Sequence, residues 1–459
     1  MGQEGAVKTV FAIVFLAIMA MASYIFSEYV LAFNVVAFLV WGGYSIQLFK
    51  YDREFSFVML PLIISCYGVF IPNLIFEQFP VFIVELDEVT YATGALTRLI
   101  FFQMVFFFVA SLTFNRIRVS VSYVPPNLAE RGSAIGLAFS VILISFYGFY
   151  IYGSPLFQEM LRFEYWGEVV TNPIVRIAHY LLSTCFCLLL YTYNTDRNVS
   201  FALILLIVVV TVLGGDKFTP FLFYGQLFVM VYFLQHNIRL HKRILIKIVA
   251  STIVFLSCTG ALMYYHYTDL INNISVPVED MLLGRIAQQG QTWWALDKEV
   301  KPEFISSHVE EFDDEIDTWF RLNLEKSVMD RVGLYKIMNI ISTPDRVERY
   351  LFAGIRFTEG YPAIGLYYFG FLGLFLLQIV VGLLYGIWGR AMYYAVMNSD
   401  VVLTICLMKI GIFLGEAFGM GNLYGLFNFS TLAYLLVIGF YLLIRNTLKK
   451  PLYHNSRIC

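Results

Sequence analysis

Runs of about twenty apolar residues, each closed by a short polar or charged connection, restrict this chain more than any other feature. A bilayer-spanning helix needs about twenty such residues, and no open backbone can cross hydrocarbon without pairing its own N–H and C=O groups. Barrel strands would alternate in polarity, whereas these runs are apolar on every side, so the spans are helices. Composition agrees: 59% of the 459 residues are hydrophobic and 14% charged, far from a soluble average. Roughly twelve spans can be laid down without a charged cluster in the hydrocarbon. They begin near Thr9, Val30, Phe55, Gly94, Ala134, Arg176, Val199, Phe218, Ile244, Ala363, Val401 and Leu423. The expected fold is an all-α polytopic membrane protein.

Lys and Arg residues fall in every second connection: Lys50 and Arg53; Arg116, Arg118 and Arg131; Arg197; Arg239, Lys242 and Arg243; Arg390; Lys449 and Lys450. By the positive-inside rule these connections and both termini face the cytoplasm. Three regions follow: residues 1–266 with nine helices and an outer loop at 153–175, a large outer loop of short helices at 267–362, and residues 363–459 with three helices and a cytoplasmic tail.

Five of the six cysteines lie inside expected helices, so no disulfide framework is implied. No metal-ligand spacing, phosphate loop or nucleotide fingerprint is evident, and the low net charge of −2 argues against a nucleic-acid partner.

The chemistry-bearing residues gather on the outer side. Gly214-Gly215-Asp216-Lys217 forms a polar knot between two apolar runs, and an outward lysine at a helix end runs against the orientation rule. The loop at 153–175 offers Arg162, which could simply pair with Glu159 or Glu164, and leads into Arg176. In the large loop, Arg285 precedes Gln288, Gln291, Trp293 and Trp294. Amides suit sugar hydroxyls and guanidinium forks suit phosphate oxygens, while the indoles either stack on sugars or serve as interfacial anchors. Arg162, Arg176, Lys217 and Arg285 together suit a diphosphate that no single loop could neutralise. The acidic run Glu310 to Asp317 reads as a solvated face. Lys409 and Glu416, seven apart on one helix, share a face as a buried ion pair or a cavity lining.

The charged knot leading into Phe218-Thr219-Pro220-Phe221, the Arg285 to Trp294 block, and Phe357-Thr358-Glu359-Gly360-Tyr361-Pro362 with Gly370 and Gly373 resemble bacterial O-antigen and exopolysaccharide repeat-unit polymerases of the Wzy type. The resemblance spans about residues 153–388. It implies a metal-independent, GT-C-like glycosyltransferase without cofactor in the bacterial inner membrane, with a periplasmic active site. Its substrate would be an undecaprenyl-diphosphate-linked oligosaccharide, and its partners membrane lipid, a chain-length regulator and a flippase. The growing glycan would pass from its lipid diphosphate to the terminal sugar hydroxyl of a new repeat unit. The family's outer-loop arginines carry over to Arg162 or Arg176 and to Arg285, and its basic knot to Lys217. Some members place Gly eleven positions after each such arginine, whereas here Pro173 follows Arg162 and Leu296 follows Arg285 at that distance.

Such a reaction needs a base for the attacking hydroxyl. Related O-antigen ligases place a histidine eleven residues before a Gly-x-x-Gly pair, and counting back from Gly370 gives Glu359. Glu359 is the candidate base, with helix capping as its structural alternative, and His308 is the runner-up, with simple solvation as its alternative. The rival functions are a flippase or transporter for lipid-linked oligosaccharides, and an O-antigen ligase.

Overall fold

The computed structural model describes residues 3–83, 85–117, 128–157, 165–193, 195–215, 218–235, 289–299, 305–306, 308–320, 327–352, 357, 360–419 and 429–449. Among these the chain is helical almost throughout. In order come α1 (Gln3–Ile25), α2 (Val30–Tyr51), α3 (Arg53–Val58), α4 (Leu60–Gln78), α5 (Ala95–Arg116), α6 (Leu128–Tyr152), α7 (Pro173–Thr192), α8 (Arg197–Leu213) and α9 (Phe218–Phe228). Five short helices follow: α10 (Gln291–Glu299), α11 (Phe312–Trp319), α12 (Val328–Arg331), α13 (Gly333–Ile341) and α14 (Pro344–Phe352). The last three are α15 (Gly360–Met397), α16 (Val401–Gly419) and α17 (Phe429–Lys449). A single antiparallel pair, Phe82–Ile83 with Glu88–Val89, ties the connection between α4 and α5.

Seven of the described helices are long and apolar enough to cross a membrane, and four shorter apolar helices accompany them. The chain is thus an all-α polytopic membrane protein. The span expected from Phe55 is broken at Met59 into α3 and α4, and the one expected from Ile244 lies outside the described residues. Exposed apolar side chains such as Phe11, Ile18, Leu436, Phe440 and Leu443 line α1 and α17, the surface a bilayer would cover.

The bundle is organised around α5, which is buried on nearly every side. Its phenylalanines supply the packing surfaces: Phe107 meets Trp41 edge-on at 5.3 Å, Phe106 meets Tyr385 at 5.3 Å, and Phe102 meets Phe371 at 4.8 Å. Offset and edge-to-face rings of this kind add to simple area burial. Small residues at Gly382 and Gly386 bring the α15 backbone against α5, where an added methyl would meet the Phe106 and Ala110 carbonyls at 2.8 and 2.7 Å.

α15 is not one straight rod. Gly370 has φ 68° and ψ −169°, a conformation essentially confined to glycine. A methyl placed on Gly365 would lie 2.7 Å from Leu374 and 3.1 Å from Leu377, although residues nine and twelve places on would be about 13 and 18 Å away along a straight helix. The segment 360–369 therefore folds back against 371–397.

Candidate functional site

Three polar assemblies stand out among the described residues: one at the head of α7, one where the short helices meet α15, and one at the head of α5. At the first, Asn172 caps α7 by accepting the Ile174 N–H at 2.9 Å, with Pro173 in the first turn. That fixes the direction of Arg176, whose Nε donates to Val170 O at 2.6 Å and Nη2 to Gly167 O at 2.8 Å. One turn further on, the His179 ring lies parallel to Trp166, with centroids 3.9 Å apart. The Trp166 indole N–H donates to Gly214 O at 3.1 Å, and Ser154 Oγ donates to Leu213 O at 2.6 Å. A methyl at Gly214 would sit 2.8 Å from His179 Cε1, so only glycine permits this approach. Gly215 then turns the chain with φ +76°. Stretches 153–154, 165–170, 176–179 and 213–215 thus meet at one place, and Tyr165, whose hydroxyl donates to Gly153 O at 2.6 Å, has its pKa pushed up to about 12 by burial and the nearby Tyr152.

Arg176 is the one member of the expected diphosphate set that lies within the described residues. Arg162, Lys217, Arg285 and the candidate base Glu359 lie outside them, as does Gln288. The structure nonetheless accounts for the glycines that precede Lys217: Gly214 packs against Trp166, which belongs to the outer loop the sequence offered, and against His179, which sequence reasoning passed over.

The second assembly centres on His308. Its Nδ1 is 2.8 Å from Glu311 Oε1, and its ring stacks on Tyr367 at 4.4 Å between centroids. Lys336 Nζ reaches Glu311 Oε2 at 2.9 Å and Asp314 Oδ2 at 3.3 Å, and the Tyr367 hydroxyl donates to Glu311 Oε2 at 2.8 Å. Burial opposes ionisation of Glu311, but the bonds from His308, Lys336 and Tyr367 outweigh it and hold the carboxyl down at about 2. An ionised carboxylate only accepts, so the shared proton sits on His308 Nδ1, which in the neutral form of the ring leaves the lone pair at Nε2. His308 and Glu311 are 36% and 39% exposed, so the pair is reachable. Part of the acidic run is therefore more than a solvated face: Glu311 and Asp314 hold Lys336, and Glu315 accepts the Gly333 N–H and the Tyr368 hydroxyl.

Gln291, Trp293 and Trp294 are enclosed instead of open to a sugar. All three have 0% exposure. The Trp293 indole N–H donates to Ala95 O at 2.8 Å and that of Trp294 to Tyr91 O at 3.1 Å, which seats α10 on the head of α5. Beside them Arg98 and Asp297 form a buried ion pair, with Arg98 Nε donating to Asp297 Oδ1 at 2.7 Å. Ser23 Oγ and Thr93 O accept two more of the Arg98 donors, and the Tyr24 ring centroid lies 4.1 Å from its guanidinium carbon. Glu77 is caged close by, accepting from Asn34 and from the Thr93, Gly94 and Leu96 N–H groups. Lys298 pairs with Glu88 and Glu299; burial disfavours its charge, yet these bonds win and raise its pKa above the ordinary lysine value.

Lys409 donates to Ser183 Oγ on α7 at 3.0 Å. Glu416 lies on the same helix, with its side chain outside the described residues.

A family of unknown function (DUF6418) has a model that matches residues 328–435, which takes in the short helices from α12, the folded-back α15, α16 and the start of α17. No curated protein and no solved structure matches the chain.

Proposed function

We propose that this protein is a metal-independent glycosyltransferase that polymerises undecaprenyl-diphosphate-linked oligosaccharide repeat units at the periplasmic face of the bacterial inner membrane. The observation that carries the reading is the locking of the Gly214-Gly215 knot onto the head of α7, where Arg176 stands. Cations from separate stretches are what a leaving diphosphate requires, and Lys217 follows this knot by two residues.

In the proposed reaction the acceptor hydroxyl oxygen attacks the anomeric carbon of the growing glycan. The bond from that carbon to the lipid diphosphate breaks, and the diphosphate leaves with the electron pair, stabilised by Arg176, Lys217, Arg162 and Arg285. The hydroxyl proton passes to a base, for which the His308–Glu311 pair has a suitable arrangement: Glu311 orients the ring and stabilises the imidazolium that forms. Glu359 remains the alternative base on grounds of sequence. The reading demands that His308 and Arg176 serve one substrate.

The test is a purified-protein assay in liposomes with a lipid-linked repeat unit. Arg176→Ala, Lys217→Ala and Arg285→Ala should each abolish chain extension while single repeat units are still exported and attached in cells. Normal long polymers from all three variants would overturn the diphosphate assignment. A second reading, a transporter of the same lipid-linked sugars, gains support from the interrupted helix at Gly370 and the intramembrane Lys409. In the same liposomes, flipping without polymer would favour it over the polymerase.

A further inference from the structure

We propose that Tyr367 is the positioning residue of the His308–Glu311 pair, holding the imidazole in the one tautomer and direction from which Nε2 takes a proton. The inference deepens the proposed reaction and rests on that reading for what the pair does, whereas the clamp is read from contacts alone.

A histidine has two soft side-chain torsions, and turning its ring over exchanges Nδ1 for Nε2. His308 stands at the entrance of the short turn Val309–Glu311, where its side chain caps nothing. Tyr367 restrains it by three routes. The phenol ring lies against the imidazole, 4.4 Å between centroids and 18° from parallel, and covers one face of it. The phenol hydroxyl donates to Glu311 Oε2 at 2.8 Å, which leaves Oε1 directed at His308 Nδ1, also at 2.8 Å. The Tyr367 carbonyl accepts from Ser306 Oγ, and the same oxygen accepts the His308 N–H at 3.0 Å. The ring, the carboxylate partner and the main chain of His308 are all referred to one residue.

Lys336 also reaches Glu311 Oε2, at 2.9 Å, and contributes charge, but its flexible stem sets no orientation. Tyr367 has a rigid footing instead. It lies in the folded-back stretch of α15, three residues before Gly370. Its neighbour Tyr368 is wedged against Gly333, where an added methyl would meet the phenol oxygen at 2.7 Å, and its hydroxyl reaches Glu315. A catalytic group must be held within about 10–20° of its productive direction. A stack and two hydrogen-bonded links to a braced helix end supply that restraint, so the turn at Gly370 sets where the base points.

The experiment is heteronuclear NMR of the full-length protein in detergent with nitrogen-labelled histidine, His308 being identified by the signal lost in His308→Gln. In the neutral ring, wild type should show a protonated Nδ1 and a bare Nε2. Tyr367→Phe, which keeps the stack and removes one oxygen, should move part of the population to the opposite tautomer. In the liposome assay it should lower kcat about tenfold with KM unchanged, the loss of one hydrogen bond to a charged group. A role confined to stability would lower the melting temperature and leave the tautomer of the folded protein as it is. Wild type with its proton on Nε2, or Tyr367→Phe with the wild-type tautomer, would overturn the proposal. Should Tyr367→Phe fail to fold, Ser306→Ala, which cuts the main-chain link, must show the same tautomer shift for the proposal to stand. Wild-type turnover in His308→Gln would remove the base while the spectra still judge the clamp; an inactive His308→Gln with an unmoved tautomer in Tyr367→Phe would remove the clamp and leave the base.

Discussion

At Glu311 three donors converge on one carboxylate, and its titration follows from them. The folded-state pKa of about 2 lies below the ordinary 4.5, so the stabilisation is complete above pH 4.5 and is lost as pH falls toward 2. Glu311→Gln should therefore lower the melting temperature at pH 7 and flatten its decline between pH 4.5 and 2; circular dichroism in detergent would record both. For His308, replacement by Gln should slow polymerisation about 10²–10⁴-fold, the usual worth of a positioned base, with lipid-linked substrate binding retained. Wild-type turnover in that variant would end its candidacy. At the knot, Gly214→Ala drives a methyl into His179 and should destabilise by about 1–3 kcal/mol, visible as earlier unfolding. The sequence pointed to His308 but not to its partner. Glu311 lies in a run of like charges, and the fold alone turns it toward His308, Lys336 and Tyr367. His179 was hidden for a different reason: a single histidine in an apolar helix carries no spacing signal.

Among the elements, α10 is held by opposite means at once: two apolar indoles and one buried ion pair. Removing half of the pair leaves the other charge unpaired, so Asp297→Ala should cost about 3–5 kcal/mol. The double change Arg98→Met with Asp297→Leu should recover most of that loss, as chemical unfolding of both variants would show. Trp293 and Trp294 were legible as interfacial anchors or as sugar platforms, and nothing in their spacing could foretell that both would be buried against the head of α5 and bonded to Ala95 and Tyr91. Arg98 was overlooked because one charge near the end of an apolar run leaves its mean hydropathy nearly untouched. The reversal in α15 was equally hidden, since apolar residues continue on both sides of Gly370. Gly370→Ala would force a side chain into a glycine-only conformation costing about 1–3 kcal/mol, and it should lower the melting temperature more than alanine at Gly439, where an added methyl would meet nothing within 4 Å beyond the backbone of its own helix and its chain neighbours.

At the scale of the molecule, hydropathy alone identified a helical membrane protein and the order of most of its spans, because length and apolarity are what a bilayer selects. It could not foresee which helix is central. That role falls to α5, whose run resembles its neighbours in hydropathy yet differs in phenylalanine content, and whose most extensive partner, α15, lies far along the chain.

Arg98 and Asp297 are 199 residues apart in sequence. At a synthesis rate of about 5–20 residues per second, the ribosome needs about 10–40 s to deliver the aspartate after the arginine. Throughout that interval the nascent chain carries a guanidinium near the head of its central helix without Asp297, and only reach to interfacial water and the earlier Glu77 can balance that charge until α10 emerges.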